Sequence, residues 1–236
     1  MKQMKRWSLI IVAALSVALI TENLFAIDMG KIETDLKSGE LRLAFPKEVG
    51  SWPEAAAPAT RYTWDNIKAR IVNGKKIVYY KTAIWGKVEA NFEDFRNKVA
   101  ETLNDERGWS RANIRFVEVK SGYDLTIVLS DPGHLGFPGC SPKLSCTDSN
   151  RNYVIINDVR WRTGTDASNA HKMSQRDYQH MVVNHEMGHW MGHHTHTQRC
   201  SVNGGPAPIM LQQSSGLVNC GSMNPWPLKE ELWVKI

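Results

Sequence analysis

No Cys-x-x-Cys pair occurs in the 236 residues, so the four cysteines do not read as a thiolate metal site. No segment repeats, which excludes an array of stacked units. Long basic tracts are missing as well: the formal charge of +5 and pI near 9.0 come from scattered residues, and no nucleic-acid role follows from charge. The apolar run from Trp7 to Ile20 falls short of the roughly 20 residues of a comfortable transmembrane helix.

What precedes and follows that run reads as an export signal. Lys2, Lys5 and Arg6 come before it, Glu22 ends it, and Ala26 offers a small residue for cleavage, although Leu24 suits such a site poorly. Residues 1–26 are therefore expected to be a signal peptide or, if retained, an N-terminal membrane anchor. The expected location is secreted or extracytoplasmic, with membrane or wall association as the variant. Export makes Cys140, Cys146, Cys200 and Cys220 readable as two disulfides. Of the three possible pairings, Cys140–Cys146 with Cys200–Cys220 closes two local loops and is the expectation.

A chain of this size, 42% hydrophobic, can bury one sizeable core. Residues 27–75 have few long apolar patterns and include the Pro- and Ala-rich stretch 51–60, so they are expected to be a spacer or a pro-segment. From Lys76 to Ile236 the pattern is that of a packed domain. Strands are predicted at Ile77–Tyr80, Ile114–Val119, Leu125–Leu129 and Tyr153–Ile156, with a turn signal at Ser121-Gly122. Phe92, Phe95, Val99 and Leu103 recur at helical spacing behind the caps Asn91 and Asp94. Between the strands, 131–151 is rich in Gly and Pro and reads as a long loop ordered by Cys140–Cys146 and shaping one side of a cleft. A second helix is predicted from Ser174 to about Gly192, with Tyr178, Met181, Val182, His185 and His189 on one broad face. After it the chain reads as irregular and tied by Cys200–Cys220.

That second helix carries the chemistry. His185 and His189, four positions apart, are separated by about 6 Å along a helix and nearly share a face, so both imidazoles can reach one metal ion. Glu186 beside them is placed to take a proton from a water at the metal and return it to a leaving amine. A catalytic zinc commonly needs a third protein donor. His193 fails geometrically: on a continuous helix it would lie about 12 Å in axial rise from His185. The third donor is thus expected beyond the break at Gly192.

The segment resembles the metzincin metallopeptidases, whose extended motif places a Gly three residues after the second His and a third His three residues after that Gly. Gly192 matches; the third position falls on Thr195, between His194 and His196. His196 is the expected third ligand, with His194 as the alternative, and His193 and the unused histidine are expected to be solvated. Pro206-Ala207-Pro208-Ile209-Met210-Leu211-Gln212-Gln213 resembles the methionine turn of that family and implies Met210 as an apolar floor beneath the zinc. More narrowly, Lys76 to Pro227 is similar to a family of uncharacterised secreted proteins, mostly actinobacterial, regarded as metallopeptidases. The similar stretches are Val183–His189, 206–213 and Asn224-Pro225-Trp226-Pro227. The resemblance implies an α+β fold of metzincin type: a small mixed twisted sheet, a backing helix, a helix carrying the zinc motif, and an irregular disulfide-tied C-terminal subdomain.

The function expected is a secreted zinc-dependent endopeptidase acting on a peptide or protein substrate, with one catalytic Zn2+ and Glu186 as general base. No tyrosine follows Tyr178, so no C-terminal tyrosine is available to an oxyanion. A competing enzyme reading takes the third ligand from Glu230 or Glu231. A different class altogether is a non-catalytic zinc-containing protein that binds a surface partner or cell-wall material, with which the positive charge and nine tryptophans are compatible.

Overall fold

The computed structural model describes residues 63–136 and 140–236. The expected leader, and the expected spacer as far as residue 62, lie outside the described residues. Helix α1 (Thr63–Ala69) and strand β1 (Ile71–Val72) come first. Ile67 is fully buried in the main core and β1 pairs with the next strand, so the packed domain begins before Lys76. The hairpin turn is Asn73-Gly74, with φ of 50° and 75°, the left-handed pair whose twist matches that of two adjoining strands.

Six strands form one mixed sheet: β1, β2 (Lys75–Trp85), β3 (Ile114–Glu118), β4 (Leu125–Ser130), β5 (Cys146–Asp148) and β6 (Tyr153–Asn157). Lys76 pairs with both Ile71 and Ile114, and Tyr80 with both Glu118 and Leu125. Hence β3 lies on one side of β2, and β4, then β6, then β5 on the other. The Ser121-Gly122 turn does not make a hairpin; β3 and β4 both run parallel to β2, and the turn carries the chain across that strand near Tyr80. Strands β4 and β6 are buried along their whole length, which explains their nearly continuous apolar sequences. Only β1 and β5 run antiparallel to their neighbours.

The two sheet faces are covered differently. Ile127, Leu129, Val154 and Ile156 belong to the main core with Phe95, Val99 and Leu103 of helix α2 (Phe92–Asn104) and Met181, Met187 and Trp190 of helix α6 (Gln175–Trp190). Asn91 caps α2 by accepting from the Asp94 amide at 3.0 Å. On the opposite face Val128 and Ile155 pack with Ala83, Trp85 and Leu135, sealed by Cys140 and Cys146. Those two cysteines are bonded to each other, as are Cys200 and Cys220, the pairing expected. Stretch 131–151 is more regular than its composition suggests: it holds α3 (Pro132–Leu135), capped by Asp131, and the edge strand β5.

Two short helices not anticipated from the sequence, α4 (Asp158–Thr163) and α5 (Asp166–Ala170), lead from β6 to α6. Each is too short to show a periodicity, and each is set by its cap, Asn157 and Thr165. Beyond Trp190 the described chain has two short 3-10 turns, Gln213–Ser215 and Lys229–Glu231, two isolated bridges, Thr197 with Leu211 and Pro206 with Ser222, and a small cluster of Cys200, Ala207 and Leu211, while Ile209, Met210 and Ile236 join the main core.

Asp124 locks the start of β4 to β2. Its buried carboxylate accepts from the Tyr79 amide at 2.8 Å and from both terminal nitrogens of Arg70 at 2.7 and 2.8 Å. Asp124→Asn turns an amide donor toward these donors and should lower the stability of the metal-free protein by about 2 kcal/mol, read from denaturant unfolding.

Candidate metal centre

Helix α6 starts at Ser174, whose hydroxyl oxygen accepts from the Asp177 amide at 3.0 Å and donates to the Asp177 carboxylate at 2.7 Å. It is not the one-faced helix expected. From Tyr178 to Trp190 all residues but Gln179 and His189 are buried, His180 and Asn184 among them, because the sheet covers one side and the C-terminal segment another. Gly192 ends it at φ 114°, and a β-carbon there would also strike the methylenes of Lys235 at 2.8 Å. The chain then turns back so that His196 faces the helix.

His185, His189 and His196 come together, with one ring nitrogen of each within 4.8 Å of the others. Nε2 of His196 stands 3.2 Å from Nε2 of His185 and 3.2 Å from Nε2 of His189. The opposite nitrogens of the helical pair are committed: His185 Nδ1 meets the Ile209 carbonyl at 2.7 Å and His189 Nδ1 the His193 carbonyl at 2.5 Å. A carbonyl only accepts, so both Nδ1 atoms carry the proton and both Nε2 atoms present bare lone pairs. The single proton available to His196 Nε2 cannot satisfy two such neighbours. Burial, reinforced by the neighbouring histidines, pushes His185 down to about 3, and burial lowers His189 and His196. Neutral imidazoles converging by their lone pairs are a cation's donor set. Donor atoms around a tetrahedral zinc stand about 3.3 Å apart, so the spacing fits that ion.

Glu186 lies beside this cluster on the wall of a cavity of about 320 Å³ that also exposes His185, His189 and His196. Burial pushes its carboxyl up to about 8, against the opposing pull of the Thr147 hydroxyl. Thr147 Oγ1 sits 2.9 Å from Glu186 Oε2 and 2.8 Å from the Glu186 carbonyl, its one proton shared between two acceptors. Thr147 is the middle residue of β5, so the edge of the sheet reaches the carboxylate directly. Sequence patterns missed it because a three-residue strand has no periodicity of its own.

One expectation needs correcting, and the three competing ligands lie outside the histidine cluster. His193 is buried rather than solvated, with Nε2 2.9 Å from the Trp233 carbonyl and its ring 3.8 Å from that of Trp233. Glu231 is no candidate ligand: its buried carboxylate accepts from the amides of Ile209, Met210 and Leu228, each at 2.8 Å. Glu230 is exposed and outside the cluster of three histidines. His194, the alternative third ligand, is likewise exposed and outside that cluster, although it lines the same cavity.

Met210 is buried against the helix. A β-carbon on Gly188 would lie 2.3 Å from its sulfur and 3.1 Å from Trp109, so the glycine between the two histidines is what admits the thioether. The turn carrying Met210 is held by the 224–227 run: Gln213 Oε1 accepts from the Asn224 amide at 2.8 Å, and Asn224 Nδ2 donates to the Ala207 carbonyl at 2.9 Å. Asn184 Nδ2 donates to the Pro225 carbonyl at 2.8 Å, tying the same run to α6. Gly188→Ala should force Met210 aside, costing about 1–3 kcal/mol by overpacking, and weaken metal uptake; chelator competition and thermal unfolding would show both.

Comparison with known proteins adds a family and a loose structural likeness. No curated protein matches the sequence. Among solved structures, an archaemetzincin from Methanopyrus kandleri matches with 12% identity and a TM-score of 0.40, over 69% of this chain and 95% of its own. A family model, by contrast, aligns with residues 50–227, three quarters of the sequence and nearly all of the domain just described. The chain belongs to the family described as "Protein of unknown function (DUF3152)".

Proposed function

We propose that this chain is an exported zinc-dependent endopeptidase of metzincin type. The observation that carries the reading is the convergence of three neutral imidazoles, Nε2 atoms bare on the helical pair, beside a buried carboxylate in an open cavity. His185, His189 and His196 would hold the ion. Bound there, zinc would supply Lewis acidity toward a peptide carbonyl and a water acidic enough to attack near neutral pH.

The chain's own groups do the rest. Glu186 takes the proton of the attacking water and returns it to the leaving nitrogen, while the Thr147 hydroxyl fixes which carboxylate oxygen is turned toward the sheet edge. Among the described residues strand β5 pairs with β6 on one side only, and its residues Cys146 and Thr147 line the cavity. An extended peptide laid along its other edge would be aligned by main-chain hydrogen bonds. Gln212, Gln213 and Ser214 also line the cavity, and Met210 would provide a soft apolar floor beneath the helical histidines. Both disulfides suit an oxidising, extracytoplasmic setting. Among the described residues no helix is long and apolar enough to cross a membrane.

Two outcomes test this reading. The purified full chain should carry zinc near one per chain and cleave members of a peptide library, and Glu186→Gln should keep the zinc while losing about 100-fold or more of the cleavage. Zinc without cleavage in the parent would favour the wall- or partner-binding alternative. His196→Ala should abolish stoichiometric zinc and His194→Ala should retain it; the reverse result would move the third ligand to His194.

A further inference from the structure

We infer that the C-terminal segment 228–235 is a clamp that orients both helical histidines for the metal, with Glu231 in the segment and His193, which the segment holds, as the two positioning residues. The inference rests on the metal-site reading above. It adds two residues outside the three-histidine cluster, and the segment itself lies beyond the matched family region, which ends at residue 227.

The first arm runs to His185. Glu231 Oε2 accepts from the Ile209 amide and Oε1 from the Met210 amide, both at 2.8 Å, so one carboxylate grips two successive peptides of the turn. The carbonyl of Ile209 is the acceptor that fixes the His185 tautomer and aims its Nε2 at the cluster. Rotation of the turn would carry that carbonyl away, the Nδ1 partner of His185 among the described residues. Glu231 is itself anchored, since Oε2 also accepts from the Leu228 amide at the start of its own turn.

The second arm runs to His189. His193 contributes its carbonyl to His189 Nδ1, while its ring reaches the other way and donates from Nε2 to the Trp233 carbonyl at 2.9 Å. The Trp233 ring lies over the imidazole, and the Lys235 amide donates to the Met191 carbonyl at 3.0 Å, closing the tail onto the end of α6. Thus the same eight-residue segment sets the acceptor behind each helical histidine by a separate route. Groups that orient a metal-binding imidazole through its second nitrogen typically change metal affinity about 10–100-fold when lost.

The test uses zinc alone as the probe. Dissociation constants for the full chain, Glu231→Gln and His193→Leu are measured by competition with a chelator, together with the thermal midpoint of each metal-free protein. Glu231→Gln keeps the shape but turns a donor toward one of the backbone amides; His193→Leu removes the ring donor and leaves the backbone in place. Each should bind zinc about 10-fold or more weakly. Asp124→Asn, which loosens the fold at β2 and β4, is the control: its midpoint should fall while its zinc affinity stays that of the parent. Affinity within about twofold of the parent in either variant that folds overturns the clamp, as does equal weakening in Asp124→Asn. A parent chain that takes up no zinc overturns the metal-site reading itself, a result distinct from a parent that binds and variants that bind equally well.

Discussion

Three imidazole nitrogens facing one another at about hydrogen-bond distance, with too few protons to go round, constitute the constraint around which the rest of the molecule is arranged. Nε2 of His196 lies 3.2 Å from two acceptors at once. Left to relax, such side chains would rotate toward water. Here rotation is blocked by the Ile209 and His193 carbonyls behind the rings, and by a helix buried on almost every side. The sheet, the backing helix α2 and the Met210 turn are all parts of that immobilisation. Gly188 shows how tight it is, since a single methyl group on the helix would displace the thioether below it.

Much of this was legible from residue spacing. Two histidines four apart on a helix with a serine cap must share a face whatever surrounds them, because the helical repeat decides it. The apolar runs of β4 and β6 announced strands covered on both sides, and the spacing of Phe95, Val99 and Leu103 announced α2. The break at Gly192 was legible too, because a glycine at that point both stops the helix and allows the φ of 114° that the reversal needs. Between His194 and His196, by contrast, spacing alone could not choose: the side on which each imidazole falls depends on the backbone of one irregular turn.

What escaped the sequence was held by distant partners. Strand β5 exists because Cys146, Thr147 and Asp148 pair with Ile155, Val154 and Tyr153, and three residues carry no pattern that says so. Thr147 reaches Glu186 only as a consequence of that pairing. Glu231 stands as a competing ligand in the sequence for a related reason: an acidic residue late in the chain looks like a candidate until three backbone amides are found to occupy its oxygens. His193 looked surplus because its role belongs to its carbonyl as much as to its ring. Main-chain atoms leave no trace in a motif.

Glu186 is tied to the histidine cluster by electrostatics as well as by position. In the protein alone, burial raises its carboxyl to about 8, a value that would leave much of it protonated at neutral pH and poor at accepting a further proton. Attraction between a carboxylate and a nearby cation is strengthened by the same removal from water that disfavours the lone charge. A divalent ion among the three histidines would therefore favour the ionised form of Glu186, and the Thr147 hydroxyl is already in place to receive it. In the proposed mechanism the base would thus be made competent by the ion rather than standing ready beforehand. A buried carboxyl beside an uncharged histidine cluster can stay neutral without a cationic side chain to pair with, and its side-chain partner among the described residues is the Thr147 hydroxyl. An arginine or lysine in that position would have stabilised the carboxylate permanently, at the cost of repelling the cation the histidines are arranged to hold.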